Sequence, residues 1–201
     1  MAEHQLARCG LDCDECSYRE KEHCPGCQAS QGRMFWGECR VAACSIGRRL
    51  DSCGDCSSMP CQMLRDFSYD AEQGDGGRRI RNLIRARDGI DPLIAVCGVS
   101  CAECPSYTAT MAGDRAALER IASEWTAALG KTYTADDILC EGCRAGGRYL
   151  SAYCAGCDIR ACADAKNNRT CAHCATGICD RITAPRAKQA LAELRTQLKL
   201  Q

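Results

Sequence analysis

Cysteine is the residue type that dominates the chemistry available to this chain. The chain has 21 cysteines in 201 residues, and several stand in Cys-x-x-Cys pairs such as CPGC (residues 24–27) and CEGC (residues 140–143). Two thiols at this spacing on a tight turn can bind one metal ion, and four thiolates complete the tetrahedral coordination that Zn²⁺ prefers. The spacing therefore predicts metal sites built from sulfur ligands.

Each half of the chain opens with a cysteine triplet in the pattern Cys-x3-Cys-x2-Cys. The triplets lie in CGLDCDEC (residues 9–16) and CGVSCAEC (residues 97–104). Three thiols at this spacing can supply one corner of a zinc site, or bind three irons of a [4Fe–4S] cluster whose fourth ligand comes from elsewhere. The sequence leaves both alternatives open, and the candidate cluster ligands are Cys9, Cys13, Cys16, Cys97, Cys101 and Cys104.

The cysteine pattern occurs twice along the chain. The first triplet recurs at an offset of 88 residues, the CPGC pair at 116, and the remaining five cysteines at 118. Cys154 alone has no counterpart, because Trp36 stands at the equivalent position. The repeat indicates a duplicated module, and the predicted metal ligands are Cys9, Cys13, Cys16, Cys24, Cys27, Cys39, Cys44, Cys53, Cys56, Cys61, Cys97, Cys101, Cys104, Cys140, Cys143, Cys157, Cys162, Cys171, Cys174 and Cys179.

A four-cysteine zinc site needs two Cys-x-x-Cys pairs close together in space. In the first repeat, the CPGC pair (residues 24–27) and the CGDC pair (residues 53–56) would supply one such site. CEGC (residues 140–143) and CAHC (residues 171–174) would supply its copy. Each repeat then retains its triplet, a Cys-x4-Cys pair and a final cysteine, which suffice for a second site.

The composition indicates why the chain would need metal. Leu, Ile, Val and Phe make up about 14% of its residues, below the roughly 20% that an ordinary apolar core requires. Residues 1–10 lack the apolar run of a signal peptide, and no segment approaches the length of a membrane span. We therefore expect a cytoplasmic protein with reduced thiols, in which metal sites are favoured over disulfides. Its 26 basic and 26 acidic residues give no indication of a nucleic-acid or membrane partner.

The longest predicted helix lies in the second repeat, between an aspartate N-cap and a glycine stop. Within residues 114–130, apolar residues recur at helical spacing, namely Leu118, Ile121, Ala122, Trp125 and Leu129. A short capped helix follows from Thr134. We expect this insert to pack over the metal module.

Two further helices are predicted outside the cysteine loops. Ile80, Leu83 and Ile84 mark one face of a short basic helix, and we expect its arginines to form a solvated face. The stretch from residue 186 carries a leucine stripe that should pack on the second repeat.

These elements predict a small metal-stabilised fold, α+β or irregular, with two tandem cysteine-rich knuckle modules and a few packing helices. The expected boundaries are residues 1–68 for the first metal-binding repeat and 69–92 for a linker with the basic helix. Residues 93–201 then form the second repeat, with its helical insert and C-terminal helix.

The second repeat resembles a known family in three stretches: CGVSCAECPSYTAT, LCEGCRAGGRYLSAYCAGCDIRACA and TCAHCATGICDRI. They are similar to the bacterial and archaeal cysteine-rich family called domain of unknown function 3795, whose members open with Cys-Gly-x-x-Cys-x-x-Cys-Pro. The resemblance covers residues 97 to about 182, and residues 9 to about 67 resemble a shorter, diverged copy with Ser17 in place of Pro105. The resemblance implies a small metal-binding domain and supplies no established activity.

These observations favour a cysteine-rich protein whose metals, zinc before iron–sulfur, are structural. It would act as a protein-interaction or accessory module, with another protein as partner. One alternative is a redox or electron-transfer accessory protein with [4Fe–4S] clusters. Another is metal storage or trafficking, because the thiols exceed two four-ligand sites per repeat. The sequence shows no Ser/His/Asp arrangement, paired carboxylates or phosphate loop, so we lean against an enzyme and assign no catalytic residue.

Overall fold

Short helices joined by cysteine-bearing turns make up both halves of the chain. The computed structural model describes residues 5–200, and the chain divides into two units, Met1–Ile90 and Asp91–Gln201. Among residues 5–200, regular strands are confined to one antiparallel hairpin with two residues in each strand. The protein is thus a small, mainly helical fold with a very small sheet. None of the helices in the described part of the chain is long and apolar enough to cross a membrane.

The first unit buries the apolar face of its last helix, α4 (Arg78–Asp88), against cysteine loops. Leu64, Ile80, Leu83 and Ile84 are buried in one core together with Cys9 and Cys13, two of the three thiols of the opening triplet. In chain order its elements are α1 (Ser17–Lys21), β1 (Arg33–Met34), β2 (Gly37–Glu38), α2 (Arg40–Gly47), a 3₁₀ turn (Cys53–Asp55), α3 (Gln62–Ser68) and α4 (Arg78–Asp88).

The second unit has longer helices and a helical insert that the first unit lacks. In chain order its elements are a 3₁₀ turn (Cys101–Glu103), α5 (Pro105–Ala112), α6 (Arg115–Leu129), α7 (Ala135–Ile138), α8 (Ala152–Ala155), α9 (Asp158–Ala165), a second 3₁₀ turn (Cys171–His173) and α10 (Pro185–Gln197).

The two units repeat the same backbone contacts around their cysteine loops. In the first unit, the Cys53 N–H donates to the carbonyl of Arg8 at 2.8 Å. In the second unit, the Cys171 N–H donates to the carbonyl of Val96 at 2.8 Å. These pairs are related by the same offsets as the cysteines, so the fold repeats together with the cysteine pattern.

The glycine of each opening Cys-Gly is required by a helix that packs on it. Gly10 has φ +86°, and a Cβ there would lie 2.6 Å from Cγ of Leu83 in α4. Gly98 has φ +90°, and a Cβ there would lie 2.7 Å from Cγ of Leu191 in α10. Both the positive φ and the close approach favour glycine. Helix α4 therefore packs on the first unit in the way that α10 packs on the second.

The helical insert of the second unit forms as its sequence predicts. The Asp114 carboxylate accepts a hydrogen bond from the Ala117 N–H, and α6 ends before Gly130, which has φ +67°. Helix α7 follows a capping box in which Thr134 and Asp137 bond reciprocally. The apolar face of α6 is buried against α5 and α7. The exception is Leu129, which lies at the helix end and is 49% exposed.

The predicted solvated face of arginines on α4 is wrong at Arg79. Its guanidinium is buried, and Nε donates to the Asp75 carboxylate at 2.8 Å. The same guanidinium lies 4.1 Å from the ring centre of Phe67. Arg78 and Arg85 are exposed as expected. A carboxylate one turn before the helix thus allows an arginine to enter the core, because the charge is paired there.

Candidate metal centres

Four cysteines line one pocket in the first unit. Cys44 lies on α2, Cys53 begins the 3₁₀ turn, Cys56 follows that turn, and Cys61 precedes α3. The remaining lining is half apolar, with Leu50, Met59 and Leu64, and half polar. A guanidinium nitrogen of Arg48 lies 3.7 Å from the sulfur of Cys56. This positive charge is placed to offset the negative charge that thiolates would bring to the pocket.

Four cysteines line an equivalent pocket in the second unit. Cys162 lies on α9, Cys171 begins the second 3₁₀ turn, Cys174 follows that turn, and Cys179 is the fourth cysteine of the lining. The Nζ of Lys166 lies 3.9 Å from the sulfur of Cys174. This lysine stands at the position of the first unit's arginine, so both pockets combine four thiols with one basic side chain.

The two pockets share the spacing Cys-x8-Cys-x2-Cys-x4-Cys. Four sulfur donors from one helix and two neighbouring turns match the ligand set of a structural zinc site. The residues of both pockets therefore fit a zinc ion by donor type and number. Below, these are called the four-cysteine pockets.

The structure groups the Cys-x-x-Cys pairs differently from the expectation based on sequence. Neither Cys24 nor Cys27 lines the first four-cysteine pocket, and Cys27 instead lies near Cys9 and Cys39. The expected pairing of CPGC with CGDC therefore does not describe this pocket. One sequence signal could have found the observed grouping: the four pocket cysteines recur at a single offset of 118, whereas the CPGC pair recurs at 116.

A second group of thiols surrounds the opening triplet of the first unit. Cys9 lies near Cys27 and Cys39, and Cys13 lies near Cys27. The backbone N–H of Arg8 donates to the sulfur of Cys27 at 3.0 Å. This donor would stabilise a thiolate at that position.

The second unit repeats this group around its own triplet. Cys97 lies near Cys143 and Cys157, which stand at the positions of Cys27 and Cys39. The N–H of Val96 donates to the sulfur of Cys143 at 3.4 Å, as its counterpart does in the first unit. The two groups thus share the same N–H to sulfur contact.

Two thiol–thiol hydrogen bonds distinguish the second unit. The Cys154 thiol donates to Cys140, which lowers the pKa of Cys140 to about 5. The Cys101 thiol donates to Cys143, which lowers the pKa of Cys143 to about 7. Cys154 stayed outside the predicted ligand set, because it has no counterpart in the first repeat.

Burial acts in the opposite direction on other thiols. It raises the pKa of Cys53 to about 12 and those of Cys9, Cys13 and Cys171 to about 11. These thiols are protonated at neutral pH in the metal-free protein, because burial disfavours the charged thiolate. A thiol must lose its proton before it binds a metal ion.

The thiols lie close to one another, but their sulfur atoms are not arranged as a complete metal-ligand set. Within residues 5–200, no group of three or more Cys, His, Asp or Glu side chains has its donor atoms in position to hold a metal ion. Among the remaining predicted ligands, Cys16 lies near Cys13, and Cys24 and Cys104 are partly buried. Coordination at any of these places would therefore require deprotonation and side-chain rotation.

Comparison with known proteins agrees with the repeat. No curated protein and no solved structure matches the chain. One family model matches two regions, residues 17–66 and 93–184, and its description is "Protein of unknown function (DUF3795)". The two regions fall in different units; the second covers all the cysteines of its repeat, whereas the first begins just after the opening triplet of residues 9–16. The chain therefore belongs to the DUF3795 family, of which it carries two tandem copies.

Proposed function

We propose that this cysteine-rich protein binds metal, with one structural zinc ion in each four-cysteine pocket. The observation that carries the proposal is the recurrence of the same pocket in both units. Each pocket has four thiols at the same spacing, and each has a basic side chain beside the third cysteine. Recurrence of ligands and counter-charge together supports one shared role for the two pockets.

A structural role follows from the position of the thiols in the fold. In the first unit, the four thiols join α2, the 3₁₀ turn and the start of α3. When bound, a structural zinc ion cross-links its ligands and contributes roughly 10–16 kcal/mol of apparent binding free energy. That is comparable with the whole stability of a small domain, about 5–15 kcal/mol. Units with so few aliphatic residues would depend on that contribution.

A role as an interaction or accessory module is supported by an exposed aromatic surface on the first unit. Tyr18, Phe35 and Trp36 are all exposed, and Trp36 is 56% accessible. The ring centroids of Tyr18 and Phe35 lie 5.3 Å apart, and those of Phe35 and Trp36 lie 4.6 Å apart. Aromatic side chains are enriched at protein–protein interfaces, so the proposed partner is another protein.

Iron–sulfur binding at the opening triplets is a second candidate function. The supporting observation is the pair of N–H donors aimed at Cys27 and Cys143, which lie beside the two triplets. Hydrogen bonds of this kind surround cluster sulfurs and tune their reduction potentials. This candidate would make the protein an electron-transfer or redox accessory protein.

Anaerobic purification followed by elemental analysis and absorption spectroscopy tests these proposals. Zinc in the pockets predicts a colourless protein with at least about two zinc ions per chain. Cys44→Ser and Cys162→Ser should each lose one ion, while the control Ser58→Ala, which removes a hydroxyl from the first pocket lining, should lose none. A metal-free protein that melts at the same temperature as the metal-loaded protein would refute the structural role. A brown protein containing iron and sulfide would favour the second candidate.

A further inference from the structure

Four thiols of the second unit lie together outside the four-cysteine pocket of that unit. The Cys101 thiol donates to Cys143, and the Cys154 thiol donates to Cys140. The two hydrogen-bonded pairs adjoin, because Cys140 and Cys143 are close enough to repel each other as thiolates. Cys101 lies near Cys140, and Cys154 lies near Cys143. Each thiol therefore has at least two of the others as neighbours.

Three elements bring these thiols together. Gly142 has φ +95°, which turns the Cys140–Cys143 loop toward the 3₁₀ turn that carries Cys101. A Cβ at Gly142 would lie 3.8 Å from the Cβ of Cys101. Helix α8 brings in the fourth thiol, because its N-cap, the buried Ser151, accepts a hydrogen bond from the Cys154 N–H. The site is thus built by the local fold and not by a flexible loop.

Backbone N–H groups point at the sulfurs of this cluster. The N–H groups of Gly142 and Ser151 donate to Cys140, and the N–H of Val96 donates to Cys143 at 3.4 Å. Donors of this kind stabilise the charged form of the acceptor, and hydrogen bonds to ligating atoms orient them around a metal. These donors therefore orient the sulfurs of Cys140 and Cys143, whereas Cys101 and Cys154, the thiols that donate within the two pairs, would release their protons when a metal ion binds.

We propose that Cys101, Cys140, Cys143 and Cys154 form a further zinc site, which the second unit has and the first unit lacks. The inference rests on the proposed function, in that it takes the thiols of this protein to be metal ligands. Zn–S bonds of about 2.3 Å place the sulfurs of a tetrahedral site about 3.8 Å apart, a separation similar to that of hydrogen-bonded sulfurs. The terminal thiolates of a [4Fe–4S] cluster lie about 6 Å or more apart, because each binds a different iron. Hydrogen-bonded pairing of the sulfurs therefore favours a single ion over a cluster. Because no three such donor atoms within residues 5–200 already stand in position to hold a metal, binding would rotate these four side chains into a tetrahedron.

The first unit lacks the fourth ligand of this site. Trp36 occupies the position that corresponds to Cys154. It follows β1 and precedes β2 in the hairpin, in place of a helix, and its indole is exposed. The corresponding thiols of the first unit therefore lack a fourth sulfur ligand for such a site. We expect the second unit to bind one more ion than the first.

The test is a cobalt and zinc titration of the full chain, reduced and metal-free at the start. Native mass spectrometry counts the bound ions, and absorption of the Co²⁺ form reports the number of thiolate ligands. Cys154→Ser should bind one ion fewer than the wild type. Cys154→His should bind the wild-type number with a cobalt spectrum altered toward three sulfurs and one nitrogen. The matched control Ala155→Ser, an exposed position of the same helix, should behave as the wild type.

The outcomes separate this site from the proposed function. If Cys44→Ser and Cys162→Ser each lose an ion but Cys154→Ser binds the wild-type number, the further site is refuted and the pockets stand. If Cys154→Ser does not fold, the Cys154→His variant provides the test instead. A cobalt spectrum of Cys154→His identical to that of the wild type would refute metal ligation by Cys154. A wild-type chain that binds no metal refutes both proposals. If the protein purified anaerobically shows an iron–sulfur absorption that Cys154→Ser lacks, the single-ion site is also refuted.

Discussion

Replacing Gly98 with alanine should destabilise the second unit by more than the same change at Gly130. Gly98 and Gly130 both have positive φ, +90° and +67°, but only Gly98 has a helix packed against its Cα. A Cβ at Gly98 would lie 2.7 Å from Cγ of Leu191 and 3.1 Å from the carbonyl oxygen of Ala187, whereas a Cβ at Gly130 would meet nothing within 4 Å. The pair therefore isolates the contact between α10 and the opening Cys-Gly.

The magnitude follows from two contributions. A non-glycine residue in the left-handed region costs about 1–2 kcal/mol, and this applies to both positions. Overpacking costs roughly 1–3 kcal/mol more where neighbouring atoms must move to make room for the new methyl group. This second cost applies to Gly98 alone. We expect a loss of about 2–5 kcal/mol in unfolding free energy for Gly98→Ala and about 1–2 kcal/mol for Gly130→Ala.

Urea unfolding measures this difference at a fixed zinc concentration, because bound metal itself adds stability. Trp125 lies in the second unit and Trp36 in the first, so a Trp36→Phe background makes the fluorescence report the second unit alone. Equal losses for Gly98→Ala and Gly130→Ala would show that α10 does not press on the Cys-Gly turn. The explanation for that glycine would then be wrong.

Three further predictions concern the buried charge, the helix cap and the thiols. Arg79→Ala should lower the unfolding free energy by about 3–5 kcal/mol, because it leaves the partly buried Asp75 carboxylate without its charged partner. Arg78 pairs with the exposed Glu15, so Arg78→Ala should change the unfolding free energy by less than about 1 kcal/mol. Equal urea midpoints for the two variants would contradict this prediction. Asp114→Ala should lower the unfolding free energy by about 1 kcal/mol because it removes the N-cap of α6, whereas Asp114→Asn should retain most of the cap's stabilisation. Equal urea midpoints for the two variants, followed by Trp125 fluorescence, would count against the cap. In the reduced, zinc-free protein, burial raises the pKa of Cys9 to about 11 and that of Cys53 to about 12. The unfolded thiols, with pKa values near 8.5, then lose protons first as the pH rises, so the stability that these two buried thiols contribute should be full below about pH 8.5 and fall from there toward pH 11. Urea midpoints that rise over this range would contradict that sign.

Several local features of this fold could be predicted from the sequence because a few neighbouring residues determine them. The cap and stop of α6 lie within one turn of its ends, so Asp114 and Gly130 gave its boundaries correctly. The repeat was visible because the cysteine offsets are constant. The burial of Arg79 was missed, since helical periodicity shows which side chains share a face but not whether Asp75 turns back to pair with one of them.

The grouping of the thiols depended on longer stretches of chain. Spacing alone shows that two cysteines of a Cys-x-x-Cys pair can share an ion, but not which other pair returns to them. Eight residues separate Cys44 from Cys53, and only the packing of α2 against the following turn brings their sulfurs to one pocket. The approach of Cys154 to Cys140 likewise depends on α8 and its buried N-cap, Ser151.

The sequence by itself determined that this protein is a duplicated, cysteine-rich chain of the DUF3795 family, with a capped helical insert in its second copy. These are properties of residue identity, spacing and short-range hydrogen bonding. The tertiary structure decided which thiols are neighbours, why the opening glycines are needed and where the two units differ. Those features arise when helices such as α4 and α10 bury their apolar faces on the loops, and the positions of thiols far apart in sequence depend on that packing.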